Sequence, residues 1–382
     1  MAENYDFVVA GGSIAGLTFA AEASMRGAKV LVAEEHAEIG EPEKCDGLVS
    51  LRGLRRYGYP PNNDVIQDRI ASAVVHSPGG RTLAVSAAPL EVVVLDRSEF
   101  DKQVAKTAVS NGAEVRTGVR VSSASEKDGM MDVKVGESAV RAKYYVDATG
   151  PSSDLRRGIL PAAKYELEGD WVKEGVVEVF MDADLYPGFF AWVIPYGKRL
   201  AKVGAAGRGI SPFRALDGFL SDRPSTVLRR VSAPIFVGGP ATRFVEGRRI
   251  LVGESAGQVK PTTAGGIMTS VAGAAMAAKW ASASLKKSQP SLLANYQIEW
   301  ESAFLKEMKT MLRLRGVLEK LSNADLDSML GTLATPKLLQ RLSNSDFDFH
   351  GTAILGALGV QGVLRVAKVV ASAEVRSILI ES

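Results

Sequence analysis

The chain has 382 residues, 46% hydrophobic and 23% charged, so it can bury a large core like an ordinary globular protein. A formal net charge of +3 is too small to predict a nucleic-acid-binding protein. The single cysteine excludes an internal disulfide and favours a reducing cytoplasm, and with three histidines it leaves little for a metal site. No leader or spanning helix is expected, so any membrane contact would be peripheral, on the inner face.

The first unit that the sequence predicts is a strand, a glycine-rich turn, a helix and a second strand between residues 4 and 35. An apolar run at 6–10 leads into the turn at 11–16, a helical pattern follows, and a second apolar run ends in acidic residues. This order predicts a Rossmann-like βαβ unit that binds a dinucleotide at the helix N-terminus. The alternative is a glycine-rich turn in an unrelated α/β protein. The predicted contacts are Gly11, Gly12, Ser13, Gly16 and Glu34.

The next part of the chain alternates loops, short strands and one helix. Residues 36–50 are polar and rich in turn formers, and residues 65–96 have the pattern of short antiparallel strands. A helix is predicted to run from Leu95 to Asn111, with Ser98 as its cap. Further strands are predicted at 114–123, 131–135 and 139–146.

The second half of the chain begins with a different kind of sequence. Residues 171–206 hold three strand-like runs separated by turns, which predicts an antiparallel sheet inserted into the nucleotide-binding domain. A strand-then-turn pattern returns at 248–257, and a long helix rich in small residues follows from Ile267 to Leu285. The sequence therefore predicts an α/β (α+β) fold in three parts: a discontinuous Rossmann-like domain at 1–160 and 240–290, an antiparallel-sheet substrate domain at 161–239, and a helical C-terminal region at 291–382.

Taken together, these motifs resemble the flavoproteins with a para-hydroxybenzoate-hydroxylase-like FAD fold, and among them the geranylgeranyl reductase family. The resemblance covers roughly residues 4–285. The segments that carry it, besides the βαβ unit, lie at 44–47, 96–101, 147–150, 190–195 and 253–267. The segment at 190–195 is similar to an aromatic-x-Trp-x-aromatic-Pro signature of that family.

The resemblance implies that the Rossmann-like domain binds FAD and that the inserted sheet binds the substrate. It adds these cofactor contacts to those of the βαβ unit: Ala15, Cys45, Asp46, Leu48, Arg97, Val121, Glu254, Gly265, Gly266 and Ile267. It also implies that Cys45 is a catalytic residue on the active-site side of the flavin. The implied substrate contacts are Phe190, Trp192, Ile194 and Pro195.

Four positions depart from the family pattern. Glu254 stands where aspartate is usual, Phe190 where tyrosine is usual, and Ile194 where phenylalanine is usual; Asp46 is a fourth departure, at a position where a small residue is common. The large apolar side chains preserve a hydrophobic wall, but a phenolic hydroxyl is lost. Simpler interpretations also exist, because Trp192 could face an ordinary sheet core and Arg97 could be a surface charge at a helix entry.

The function that the resemblance implies is FAD-dependent saturation of geranylgeranyl chains, above all in digeranylgeranylglycerophospholipids of archaeal membranes. The implied partners are a prenylated lipid and an electron donor, either ferredoxin or NAD(P)H. The alternatives are a flavin-dependent monooxygenase of an aromatic or isoprenoid small molecule, and a non-catalytic flavoprotein or lipid-binding module.

Two C-terminal segments raise the question of membrane contact. The basic, amphipathic pattern at 304–315 fits either a helix resting on anionic lipid or a solvated helix packed on the core. The apolar run at 353–370 is interrupted by polar residues, which predicts a buried or interfacial segment and not a spanning one.

Overall fold

A computed structural model of the protein describes residues 3–87, 91–151, 153–333 and 339–340. The helices are α1 (Ile14–Met25), α2 (Leu51–Arg56), α3 (Arg97–Ser110), α4 (Pro212–Phe219), α5 (Ile267–Lys287), α6 (Ala294–Leu318) and α7 (Asn323–Leu333). Short 3-10 helices lie at Asn63–Val65, Ser153–Gly158, Gly253–Ala256 and Pro290–Leu293. The strands are β1 (Glu3–Ala10), β2 (Val30–Ala33), β3 (Leu48–Ser50), β4 (Ile66–Arg69), β5 (Ser72–His76), β6 (Thr82–Ser86), β7 (Val92–Leu95), β8 (Glu114–Arg116), β9 (Val121–Lys127), β10 (Met130–Val135), β11 (Ser138–Asp147), β12 (Ile159–Leu160), β13 (Ala162–Glu168), β14 (Val176–Phe180), β15 (Ala191–Gly197), β16 (Leu200–Ala206), β17 (Thr226–Ser232), β18 (Ile235–Phe236), β19 (Val245–Glu246) and β20 (Arg249–Leu251).

The first sheet forms the nucleotide-binding part and confirms the predicted Rossmann-like fold. Strands β20, β11, β1, β2 and β8 pair in parallel in that order. Successive residues of β1 point into two different hydrophobic cores on the two faces of the sheet. Val9 packs with α1 and α5, whereas Val8 packs with β10. Burial on both faces explains why the two parallel strands of the βαβ unit are almost wholly apolar.

Helix α3 begins two residues later than the sequence predicts, and its cap is different. Asp96 is the N-cap, and its side chain accepts a hydrogen bond from the backbone N–H of Glu99 at 2.9 Å. Ser98 is buried within the first turn of the helix, so the prediction of Ser98 as the cap is wrong. Both residues belong to the types that cap helices, and the path of the preceding strand β7 decides which one occupies the position.

The second sheet has seven strands in the order β17, β13, β16, β15, β14, β5 and β6. One of its faces is apolar and packs against α4 through residues such as Val193, Val203 and Leu216. Strands β5 and β6 come from the stretch that the sequence places in the nucleotide-binding domain, and β5 joins the sheet by pairing in parallel with β14. The division of the chain into three domains remains a prediction, but this hairpin extends the sheet beyond residues 161–239.

Helix α6 packs against the core of the first sheet, whereas α7 contacts β6 of the second sheet. Helix α6 buries Tyr296, Trp300, Phe304 and Met308 against the core, while its basic residues at 306, 309 and 313 are exposed. The apolar run at 353–370 lies outside the described residues. Over the described ranges, none of the helices combines the length and the hydropathy that a membrane crossing requires.

Candidate active site

The glycine-rich turn follows β1 and brings the backbone close to the strand end of β11. Gly11 has a φ of +101°, and a Cβ there would lie 2.5 Å from the carbonyl oxygen of Ala148. At Gly16 a Cβ would lie 2.1 Å from the carbonyl oxygen of Gly11. Both positions therefore require glycine, one for its backbone conformation and both for space.

Helix α1 presents an N-terminus that suits an anionic group. Ser13 is the N-cap, but its side chain makes no capping hydrogen bond, and no acidic residue lies in the first turn. A helix N-terminus carries partial positive charge and backbone N–H donors, which are the features that bind a pyrophosphate. Ser13 is exposed at this point, whereas Ala15 in the first turn is buried.

Glu34 lies at the end of β2, where a ribose-binding acid is expected. Its Oε2 accepts a hydrogen bond from the backbone N–H of Gly12 at 2.6 Å, and its Oε1 accepts one from the N–H of His36 at 2.9 Å. The carbonyl of Glu34 accepts from Val119 at 2.9 Å, so the chain leading into Val121 runs beside this strand end. The predicted nucleotide contacts Gly12, Glu34 and Val121 thus lie around one edge of the sheet.

A second turn, after β20, packs against the helix start that follows the glycine-rich turn. A Cβ on Gly253 would lie 2.6 Å from the Cβ of Ala15, so the turn at 253–256 touches the start of α1. The Ser255 hydroxyl donates to Oδ1 of Asp147 at 3.1 Å, which anchors this turn to the end of β11. These contacts carry Glu254 to the same end of the sheet as the glycine-rich turn.

Glu254 is exposed to solvent, although much of the protein surrounds its carboxyl group. Burial raises the pKa of Glu254, and the charges of Arg97 and Lys44 lower it in part, so Glu254 lies within electrostatic range of both basic groups. Gly265 and Gly266 lead into α5, which begins at Ile267 close to the same turn.

Arg97 is the first residue of α3 and is buried, so the interpretation as a surface charge is wrong. One guanidinium nitrogen donates to both carboxylate oxygens of Asp101, at 2.9 and 3.1 Å. Desolvation opposes the charge of Arg97, but Asp101 and the sulfur of Cys45 raise its pKa. Its Nε is buried with no hydrogen-bond partner in the described part of the chain. Arg97 therefore places a permanently charged donor at the start of α3, next to Cys45.

The cysteine loop, residues 43–47, crosses between the two sheets. Cys45 is exposed, which contradicts the general expectation that a lone cysteine is a small buried hydrophobe. Gly47 has a φ of +81° and lies so close to the end of β7 that a Cβ would be 2.1 Å from the carbonyl oxygen of Leu95. Leu48 then starts β3 and pairs with Val94 of β7.

The substrate contacts that the resemblance implies do not all share one surface. Phe189, Phe190 and Trp192 form an aromatic cluster, with ring centroids of the two phenylalanines 4.0 Å apart and each about 6 Å from Trp192. Ile194 lies on the same face as Trp192, and both pack in one apolar cluster with Val94 of β7, whereas Pro195 lies on the opposite, apolar face of β15. Phe189 and Phe190 line a small cleft of about 30 Å³ that also involves Thr262, Arg315, Leu318 and Leu326.

The Trp192 indole connects the aromatic cluster to the cysteine loop. Its Nε1 donates to Oδ2 of Asp46 at 2.7 Å. The ring lies flat on Gly204 of the neighbouring strand, where a Cβ would be 2.1 Å from Cζ2. Trp192 thus combines a directed hydrogen bond to a carboxylate with apolar contacts to the cluster that contains Ile194, so the core interpretation holds for part of its surface.

Sequence reasoning missed the charged residues beneath the cysteine loop. Lys164, Glu166 and Lys202 lie on the same face as Trp192, and each lysine is only 1% exposed. Glu43 is also buried and accepts a hydrogen bond from Lys202 at 2.9 Å. The available signal was a lysine within an otherwise apolar strand, as in Ala201-Lys202-Val203.

These residues fit a bound FAD. The glycine turn, the uncapped helix N-terminus, Glu34 and the unpartnered Nε of Arg97 offer the donors and the acceptor that a dinucleotide needs. Glu254 and the start of α5 lie where the flavin end would follow. Within the described ranges, no group of three or more His, Cys, Asp or Glu side chains could hold a metal ion.

Comparisons with known proteins agree with this site. The family described as FAD binding domain matches residues 4–211. A digeranylgeranylglycerophospholipid reductase of Methanopyrus kandleri is 30% identical over 373 residues, which cover 90% of this chain and 93% of the relative. Its counterpart from Methanothermobacter thermautotrophicus is 29% identical over 86% of this chain and 91% of the relative.

Solved structures show the same fold. A geranylgeranyl bacteriochlorophyll reductase-like protein of Thermoplasma acidophilum superposes with a TM-score of 0.86 at 21% identity, over 97% of this chain and 99% of that chain. A flavin-dependent monooxygenase in complex with FAD and substrate superposes with a TM-score of 0.66 at 15% identity, over 93% of this chain and 71% of that chain. At these identities the likeness concerns the fold alone.

Proposed function

This chain belongs to the FAD-binding family of digeranylgeranylglycerophospholipid reductases, and from that premise we infer that it saturates the double bonds of geranylgeranyl chains with FAD as its cofactor. The substrate class that we propose is the digeranylgeranylglycerophospholipids of archaeal membrane lipid biosynthesis. The reaction adds a hydride and a proton across an isolated carbon–carbon double bond.

The observation that carries the proposal is the 2.7 Å bond between Asp46 and Trp192. Asp46 adjoins Cys45 in a loop next to the proposed FAD contacts, and Trp192 belongs to the aromatic cluster of the second sheet. A single site therefore joins the cofactor side and an aromatic, apolar surface, which is the kind of surface that a prenyl chain selects.

Each side of this site has a distinct task in reducing an isolated alkene. Reduced FAD, when bound, supplies the hydride. One alkene carbon gains positive character during the reaction, and the rings of Phe190 and Trp192 exclude water and stabilise that charge through their electron-rich faces. We propose Cys45 as the catalytic residue of the loop, because its exposed thiol lies beside the Arg97 guanidinium.

The reducing equivalents come from a partner. We propose ferredoxin or NAD(P)H as the electron donor, since the sequence has no second nucleotide fingerprint that would identify NAD(P)H. We also propose that the protein rests peripherally on the inner membrane face through the exposed basic side of α6, where Lys306, Lys309 and Arg313 face anionic lipid. Flotation with anionic and with neutral liposomes tests this contact, and equal recovery from both would contradict it.

The first experiment is mass spectrometry of a geranylgeranyl glycerophospholipid after anaerobic incubation with the dithionite-reduced, FAD-loaded protein. Stepwise gains of two hydrogens are expected, and the number of steps reports how many bonds are saturated. Cys45→Ser should bind FAD but reduce the lipid far more slowly. Unchanged prenyl lipids with the wild-type protein would refute the proposal, and oxidation of NAD(P)H in air would then favour a monooxygenase.

A further inference from the structure

Two lysines of the second sheet are buried completely. Lys164 in β13 and Lys202 in β16 are each 1% exposed. The strands place them on one face, because Lys164 pairs with Gly204 and Lys202 with Glu166. Lysine is almost never fully buried unless it is paired, so the partners of these two ammonium groups indicate what they do.

Both lysines reach across to the cysteine loop. Nζ of Lys164 donates to the carbonyl oxygen of Cys45 at 3.0 Å. Nζ of Lys202 donates to Oε1 of Glu43 at 2.9 Å and to the carbonyl oxygen of Asp46 at 3.5 Å. Three of the four positions from Glu43 to Asp46 are therefore held by side chains of the second sheet.

Carboxylates surround the two lysines, and Arg229 lies beside two of these carboxylates, 3.9 Å from Oε2 of Glu43 and 3.6 Å from Oε1 of Glu166. Oδ1 of Asp46 and Oε1 of Glu166 each lie 3.6 Å from Nζ of Lys164. Desolvation opposes the charge of Glu43, but Lys202 and Lys164 outweigh it and lower its pKa, so Glu43 remains ionised at neutral pH. The contact between loop and sheet is therefore ionic on both sides.

A buried ionic contact between the cysteine loop and the second sheet is not the most stable way to pack them together. Taking ammonium and carboxylate groups out of water costs free energy, and apolar side chains of similar size often stabilise a protein as well or better. Hydrogen bonds from a charged donor add direction, because each fixes a particular carbonyl or carboxylate oxygen. The loop around Cys45 is where such direction matters.

We propose that Lys164 and Lys202 are positioning residues that fix the cysteine loop, so that Cys45 and Asp46 keep their places between the cofactor and the aromatic cluster. This inference rests on the proposed function for its catalytic consequence. The loop geometry itself can be measured without any turnover.

The first test is hydrogen–deuterium exchange of the peptide that contains residues 41–48 in the FAD-loaded protein. Lys164→Met and Lys202→Met should speed its exchange about tenfold, because each removes hydrogen bonds from a charged donor. Peptides from α6 should exchange as in the wild type. The matched control is Lys173→Met, which removes an exposed lysine that pairs with Glu178 of the same sheet at 2.8 Å.

The second test separates positioning from simple stability. The single variants should lower kcat for the prenyl lipid by about tenfold to a hundredfold with KM nearly unchanged. The double variant with Lys202→Met and Glu43→Met leaves neither charge unpaired, so it should recover resistance to urea but not kcat. This double variant also carries the test if the single variants do not fold.

Two results would overturn the inference. Loop exchange at the wild-type rate in both single variants would show that the lysines do not hold the loop. Full recovery of kcat in the double variant would show that their role is stability alone. If the wild-type protein reduces no prenyl lipid, the proposed function fails, and the exchange rates still decide whether the lysines hold the loop.

Discussion

The bond between Trp192 and Asp46 yields a prediction about stability that can be worked out from its geometry. Trp192→Phe removes the Nε1–H donor, which lies 2.7 Å from Oδ2, and keeps an aromatic ring on Gly204. The Asp46 side chain is 16% exposed, so water can replace the lost donor only in part. We expect the free energy of unfolding to fall by about 2 kcal/mol, the usual range for a hydrogen bond to a charged group.

A second tryptophan provides the matched control. Nε1 of Trp171 donates to the hydroxyl of Ser225 at 3.0 Å, so Trp171→Phe removes the same donor from a neutral acceptor. That substitution should cost about 1 kcal/mol, or half the loss at Trp192. Urea unfolding followed by circular dichroism, with all variants at saturating FAD, measures both losses.

A double-mutant cycle isolates the bond itself. Trp192→Phe and Asp46→Ala, alone and combined, should give a coupling energy of about 1 kcal/mol or more, because the two groups contact each other directly. A coupling energy near zero would refute the reasoning, since it would mean that the indole and the carboxylate act independently. The cysteine loop would then not depend on the aromatic cluster for its position.

Three further predictions concern the cofactor and pH. Gly16→Ala should abolish FAD binding, measured by flavin fluorescence, because its Cβ would lie 2.1 Å from the Gly11 oxygen. Gly218→Ala is the control, since this glycine of α4 has open space around it, and retained binding in Gly16→Ala would contradict the close approach. Glu43 has a lowered pKa, so its stabilising contribution is present above its ordinary pKa of 4.5 and is lost as the pH falls below it. Glu43→Gln should therefore flatten acid unfolding below pH 4.5, and an unchanged profile would count against the ion pair. Glu254→Asp should keep FAD affinity within about threefold and Glu254→Ala should lose about tenfold, if the carboxylate binds the cofactor by a charge-assisted hydrogen bond; equal affinities would exclude that role.

Local sequence determined the nucleotide-binding half of the molecule. The apolar run before Gly11, the spacing to Gly16 and the acid at Glu34 depend on neighbours within one βαβ unit, and each has a backbone or steric reason to be where it is. The same applies to the small residues of α5, whose close packing needs no distant partner to be recognised. The helix cap at Asp96 was missed because two good capping residues lie two positions apart.

Tertiary structure decided the rest of the candidate site. The alternation in β15 predicts that Trp192 and Ile194 share a face, and only the tertiary structure shows that Val94 of β7 completes the apolar cluster against which both pack. A lysine in an apolar strand does not reveal its partner, because Lys202 and Glu43 are 159 residues apart and meet only when the cysteine loop packs on the second sheet. Sequence thus specifies elements whose contacts are local, whereas the charges that surround the cysteine depend on contacts between distant segments, which no local pattern encodes.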